Sequence, residues 1–198
     1  MLSAKFGPKI QRISRVPFGW ISRAGITPNG LTITGLVITL AACFSFVFDK
    51  FIMAGVLILL AGAFDVMDGG VARTANKESE FGAFLDSVID RFSDLAIIIG
   101  LIIHYAWTNN LFHVILTSIV LIGTVLVPYT RARAEKFIPR CNIGLMERAE
   151  RILILAVGAI FDLMTPALLI LAVLTHFTVF QRIHYSWKQL SREENQKT

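Results

Sequence analysis

Apolar runs separated by short polar breaks set the pattern along this chain, and they predict six helices of membrane-spanning character. The blocks cover residues 31–48, 51–75, 81–107, 112–135, 145–161 and 167–187, mostly close to the ~20 residues that cross a bilayer. Asp49-Lys50, residues 76–80, Asn109-Asn110, a basic segment at 136–144 and residues 162–166 break them. Residues 1–28 pattern differently: Lys5, Lys9, Arg12, Arg15 and Arg23 alternate with Phe6, Ile10, Ile13, Phe18, Trp20 and Ile21. That alternation suits an amphipathic helix lying in the headgroup layer, broken by Pro8 and Pro17. His104, Tyr105 and Trp107 fall at the end of the third block and read as interface anchors. The expected fold is all-α and polytopic, in one domain: a juxtamembrane segment (1–28), a six-helix bundle (29–187) and a polar tail (188–198).

Composition strengthens this picture. At 55% hydrophobic over 198 residues, with mean hydropathy +0.65, the chain is too apolar for an ordinary soluble domain. Cys43 and Cys141 suggest neither a disulfide framework nor a zinc site, and no cleavable leader is visible. The net charge of +5 is distributed unevenly. Apart from Lys50 and Arg91, every lysine and arginine lies near the termini or around the second-third and fourth-fifth connections. The positive-inside rule then puts those segments, and both termini, in the cytosol of a cell-membrane protein. Membrane lipid is the expected surrounding partner, and nucleic acid is not.

Against this background the acids of residues 65–90 stand out. Asp65, Asp68, Gly69, Ala72 and Arg73 share one helical stripe, and Gly82, Asp86 and Asp90 share another, because steps of three and four stay on one face. Charges at membrane depth are costly, and four carboxylates gathered by facing stripes cannot share a site unless cations join them. An all-oxygen set favours magnesium, manganese or calcium over softer metals. Asp94 extends the second stripe by one turn and reads as a supporting or packing polar group, with Arg91 paired to a nearby carboxylate.

The run D-x-x-D-G-x-x-A-R-x8-G-x-x-x-D-x-x-x-D, complete from Asp65 to Asp90, resembles the signature of the CDP-alcohol phosphotransferase family. The resemblance implies a membrane enzyme that displaces CMP from a CDP-linked alcohol with a second alcohol's hydroxyl, using two metal ions (Mg²⁺ or Mn²⁺), and working as a homodimer. It implies that Asp65, Asp68 and Asp86 hold one ion and Asp65, Asp86 and Asp90 the other, with Asp90 as the base. Gly69 would admit the nucleotide and Arg73 bond the pyrophosphate. Thr27-Pro28-Asn29-Gly30-Leu31-Thr32 resembles the family's start of the first span, which would bring Asn29, Gly30, Leu31 and Thr32 to the CDP-linked lipid. By physics alone the same residues are a helix start. Ser79 is either a nucleotide-side hydroxyl, as in the inositol-phosphate branch, or a solvated loop serine.

Basic residues narrow the acceptor. Arg131 and Arg133 close the fourth block, Arg148 and Arg151 open the fifth, and Arg182 ends the sixth, all at the predicted depth of the carboxylates. The guanidinium fork suits phosphate, so a phosphorylated polyol is the expected acceptor; salt bridges to Glu135, Glu147 and Glu150 are the plainer alternative. The runs R-A-R-A-E, G-L-M-E-R-A-E-R and Q-R-I-H are similar to the branch that joins CDP-diacylglycerol to inositol 1-phosphate. Arg131 and Ala149 depart from that branch, where lysine and proline are frequent, which leaves glycerol 3-phosphate as acceptor, or an archaeal ether lipid as donor, as alternatives. A cation transporter could also carry intramembrane acids, but it would place them near the midplane in repeated, broken helices.

Overall fold

The computed structural model describes residues 27–74 and 79–197, except that the side chains of Pro28, of residues 68–74 and of residues 193–197 lie outside the description. The expected amphipathic segment before residue 27 therefore falls outside the described residues. Six helices follow in order: α1 (Pro28–Val47), α2 (Phe51–Thr74), α3 (Glu80–Trp107), α4 (Leu111–Ala134), α5 (Arg148–Ile160) and α6 (Met164–Lys197). No strand occurs among the described residues.

Local chemistry explains the helix starts. The side chains of Thr27, Ser79 and Asn110 accept from the backbone N–H groups of Gly30, Gly82 and His113 at the heads of α1, α3 and α4, satisfying donors a helix leaves open. The tight turns after α1, α3 and α5 each use a residue with positive φ, namely Asp49, Asn109 and Asp162, of the types that tolerate this conformation.

Among the described residues, three helices are long and apolar enough to cross a membrane: α1 over Asn29–Val47, α4 over Leu111–Ala134 and α6 over Met164–Arg192. Six spans are expected from the sequence; six helices are described, three of them with clear spanning character. α2 offers a shorter apolar stretch, Phe51–Met67, near whose end Asp65 stands. α3 carries Asp86, Asp90, Arg91 and Asp94, and α5 has 13 residues, roughly 20 Å at 1.5 Å per residue. α5 begins at Arg148, not 145, because Glu147 is extended (φ −81°, ψ −178°) and stands as the N-cap. α6 runs on past Trp187 to Lys197, so the polar tail is largely helical. Large apolar side chains such as Val37, Phe44, Ile52, Ile122 and Val173 face outward, an apolar coat that suits lipid.

Each helix packs against two others, in the cyclic order α1, α2, α5, α6, α4, α3 and back to α1. The bundle is a ring of six with α1–α3 on one side and α4–α6 on the other. Its largest buried cluster joins Phe46, Ile58, Ile98, Leu101, Val120, Leu168 and Leu171. His104 and Tyr105 belong inside this packing and not at the interface: both are buried, His104 stands edge-on to Phe51 and Tyr105 stacks on His113 at 4.5 Å. Trp107 alone of the three is exposed.

Small residues let α4 and α6 approach. A Cβ on Gly123 would lie 2.7 Å from the Cβ of Thr175, which is fully buried and cannot retreat. Overpacking of this kind costs about 1–3 kcal/mol, so Gly123→Ala is expected to lower the melting midpoint in detergent. An unchanged midpoint would mean that the α4–α6 seam is looser than described.

Candidate active site

One end of the ring gathers the charged residues. The signature's first half ends α2 and its second half opens α3, so Asp65 faces Asp86 and Asp90 across a helix pair tied to α1. One carboxylate oxygen from each of Asp65, Asp86 and Asp90 lies within 4.8 Å of the others. The side chains of Asp68, Gly69 and Arg73 lie outside the description. Asp86 Oδ1 is buried without a hydrogen-bond partner, and such a group is costly unless a cation or donor reaches it. This oxygen-only cluster with an unsatisfied buried acceptor fits a hard divalent cation.

Arg148, at the start of α5, contributes the opposing charge. Its Nη1 lies 2.6 Å from Asp65 Oδ2 and 2.9 Å from Asp90 Oδ1, and its Nε lies 3.5 Å from Asp94 Oδ1. These are ion pairs by distance, yet neither Nε nor Nη1 has an aligned hydrogen-bond partner. Charge attraction is far less directional than a hydrogen bond, so these ion pairs hold without that alignment. Arg91 completes the group, 3.6 Å from Asp90 Oδ2, as the sequence suggested.

A cavity of about 620 Å³ opens beside the carboxylates, with Asp65, Asp90, Arg131, Arg148, Arg151 and Arg182 among its lining. Four of the five sequence-selected arginines therefore face one space. Arg133 does not join them: it is exposed, with its guanidinium carbon 5.4 Å from the centre of the Phe137 ring. Residues two apart on a helix point to nearly opposite faces, so Arg131 and Arg133 cannot both look inward. Arg131 is held by Glu135 Oε1 at 3.1 Å and by Asn142 Oδ1 at 3.2 Å. Partial burial acts against ionisation of the Glu135 carboxyl, but the Cys141 N–H and then Arg131 hold it below its ordinary range. Arg182 donates from Nε to the Ile143 carbonyl at 2.8 Å and from Nη1 to the Val127 carbonyl. Asn142 and the 143 carbonyl were not foreseeable, because their loop has no periodicity.

The difference between the two arginines is testable. Arg131→Ala is expected to raise the KM for a phosphorylated acceptor by about tenfold, the scale of one lost charge-assisted contact, whereas Arg133→Ala leaves it within about twofold. Equal effects in steady-state kinetics would show that the cavity is not where the acceptor phosphate binds.

The residues expected to meet the CDP-linked lipid lie at the heads of α1 and α3. Asn29 and Gly30 form the first turn of α1, and Thr32 lines a water-sized recess with Asp65, Asp90 and Arg148. Leu31 instead packs against Phe64 and Met67, a core position. Ser79 is engaged as the α3 cap, its Oγ 2.9 Å from the Gly82 nitrogen.

A helical membrane enzyme with paired carboxylate stripes facing an arginine-lined cavity defines the class, and the sequence matches it directly: the CDP-alcohol phosphatidyltransferase profile covers residues 25–184, and this chain belongs to that family. It is an enzyme of phospholipid biosynthesis. Among its relatives, the archaetidylinositol phosphate synthase of Pyrococcus horikoshii is 37% identical over 96% of this chain and 98% of its own length. The phosphatidylinositol phosphate synthase of Mycobacteroides abscessus is 35% identical over 82% of this chain and 78% of its own. The crystal structure of Mycobacterium tuberculosis phosphatidylinositol phosphate synthase with CDP-DAG bound matches with a TM-score of 0.81 at 31% identity, over 89% of this chain and 94% of that one. The same enzyme in complex with manganese and citrate matches at 0.79, with 30% identity, over 88% of each chain.

Proposed function

We propose that this enzyme transfers the phosphatidyl group of CDP-diacylglycerol to inositol 1-phosphate, releasing CMP. The observation that carries this reading is the single cavity in which Asp65 and Asp90 face Arg131, Arg148, Arg151 and Arg182. Metal-holding acids and phosphate-holding forks meet there, as a reaction between a pyrophosphate donor and a phosphorylated acceptor requires. The relatives' shared inositol-phosphate activity supports the acceptor over glycerol 3-phosphate.

Asp65, Asp68, Asp86 and Asp90 would hold two Mg²⁺ or Mn²⁺ ions, which neutralise pyrophosphate charge and favour attack at phosphorus. Asn29, Gly30, Thr32, Gly69, Arg73 and Ser79 contact the CDP-lipid in this reading. Arg131, Arg148, Arg151 and Arg182 bind and orient the acceptor phosphate, placing the attacking hydroxyl in line with the leaving CMP. Asp90 takes the proton of that hydroxyl. The cavity opens to the cytosol of the cell membrane, on the side where lysine and arginine concentrate, with both termini there. The homodimer rests on family resemblance alone.

A second reading changes only the donor. Two relatives named archaetidylinositol phosphate synthase, at 37% and 36% identity, favour an ether-linked CDP-lipid. The test is CMP release by purified enzyme with magnesium, offering ester and ether CDP-lipids against inositol 1-phosphate, free inositol, glycerol 3-phosphate and serine. Inositol 1-phosphate alone should support release, chelation should stop it, and added Mg²⁺ or Mn²⁺ should restore it. Release with glycerol 3-phosphate alone overturns the acceptor, and a preference for the ether lipid selects the second donor.

A further inference from the structure

Asp94 continues the stripe of Asp86 and Asp90 by one turn, but its chemistry is different. It is only 8% exposed. Its Oδ2 accepts from Arg151 Nη2 at 2.6 Å, and its Oδ1 lies 3.5 Å from Arg148 Nε. Both oxygens therefore face arginine, and Asp94 is not among the three carboxylates that converge. Arg151 is itself 4% exposed and also donates to the Met146 carbonyl at 3.5 Å. A buried carboxylate that bridges two guanidinium groups fixes both and keeps their charge in place, since an uncompensated arginine at this depth is strongly disfavoured.

We propose that Asp94 is a positioning residue for acceptor binding: from beneath the cavity it holds Arg148 and Arg151 as one rigid phosphate-recognition pair. This rests on the acceptor reading above. The stripe on α3 thus has two tasks, with Asp86 and Asp90 turned toward the metal-type cluster and Asp94 toward the arginines of α5. Arg148 is the piece common to both, its Nη1 on Asp65 and Asp90 and its Nε on Asp94. Asp94 supplies the anchor that remains when Asp65 and Asp90 are engaged elsewhere.

The experiment compares wild type, Asp94→Asn and Asp94→Glu in detergent, measuring kcat, KM for inositol 1-phosphate, KM for CDP-lipid and Mn²⁺ affinity by calorimetry without substrates. Asp94→Asn should raise the acceptor KM by about tenfold or more, the scale of a lost charge-assisted contact. Donor KM and Mn²⁺ affinity should stay within about twofold, and Asp94→Glu, which keeps the charge, should recover part of the loss. Parallel loss of acceptor, donor and Mn²⁺ binding overturns the proposal in favour of a general structural role, and so does an unchanged acceptor KM. If Asp94→Asn does not fold, Arg151→Gln combined with it removes both charges of the pair; a folded double variant with wild-type acceptor KM is equally fatal. Wild type that fails to turn over inositol 1-phosphate refutes the acceptor assignment, and the Asp94 comparison is then read from calorimetric affinity for inorganic phosphate.

Discussion

Replacing Asp90 with asparagine is expected to lower kcat for CMP release by about 10³-fold or more, with the protein still folded. Two losses combine. General base catalysis by a positioned group contributes about 10²–10⁴, and the same carboxylate belongs to the converging cluster of Asp65, Asp86 and Asp90. Asparagine has nearly the same shape, and the change removes one of three crowded negative charges, so α3 has no reason to unwind. Mn²⁺ affinity, measured by calorimetry, should fall together with turnover. A variant that keeps kcat within tenfold of wild type would place the base elsewhere and leave Asp90 as a partner of Arg148 and Arg91.

Arg148→Gln should produce the second-largest effect, with two readouts that move in opposite directions. The guanidinium lies 2.6 and 2.9 Å from Asp65 and Asp90, and so competes with a divalent cation for the same oxygens. Removing it should strengthen Mn²⁺ binding. The acceptor phosphate loses a fork-shaped cation at the same time, and kcat/KM for the acceptor should fall by about 10²-fold, within the range for breaking a largely buried charged contact. Misfolding would weaken both quantities, so stronger metal binding with weaker acceptor use identifies the intended effect. If metal affinity also fell, the arginine would be supporting the carboxylates and not competing with them.

Much of this site was legible in the sequence because helical periodicity turns spacing into geometry. Asp86 and Asp90 had to share a face, and Arg148 and Arg151, three apart, also share one. The same rule separates Arg131 from Arg133, since a step of two reverses direction on a helix; a shared membrane depth does not bring both to the cavity. His104 and Tyr105 depart from their local pattern for a related reason. Polar aromatics near a helix end are typical interface residues, and only the tertiary neighbours Phe51 and His113 show that these two turn inward. The cyclic helix order, and the Asn142 contact to Arg131, depend on pairings between distant segments that no local pattern encodes.

The ring has a bearing on how such enzymes diversify. Its first three helices carry the converging carboxylates and its last three carry Arg131, Arg148, Arg151 and Arg182 of the cavity, and the halves meet at two seams, α2 with α5 and α3 with α4. In the proposed reading the reaction centre and most of the acceptor site lie on separate halves of one polypeptide, with Asp94 of α3 reaching across to Arg148 and Arg151. On that reading a change of acceptor would fall chiefly on α4–α6, and Arg148, in contact with Asp65, Asp90 and Asp94, is the side chain that couples the two halves.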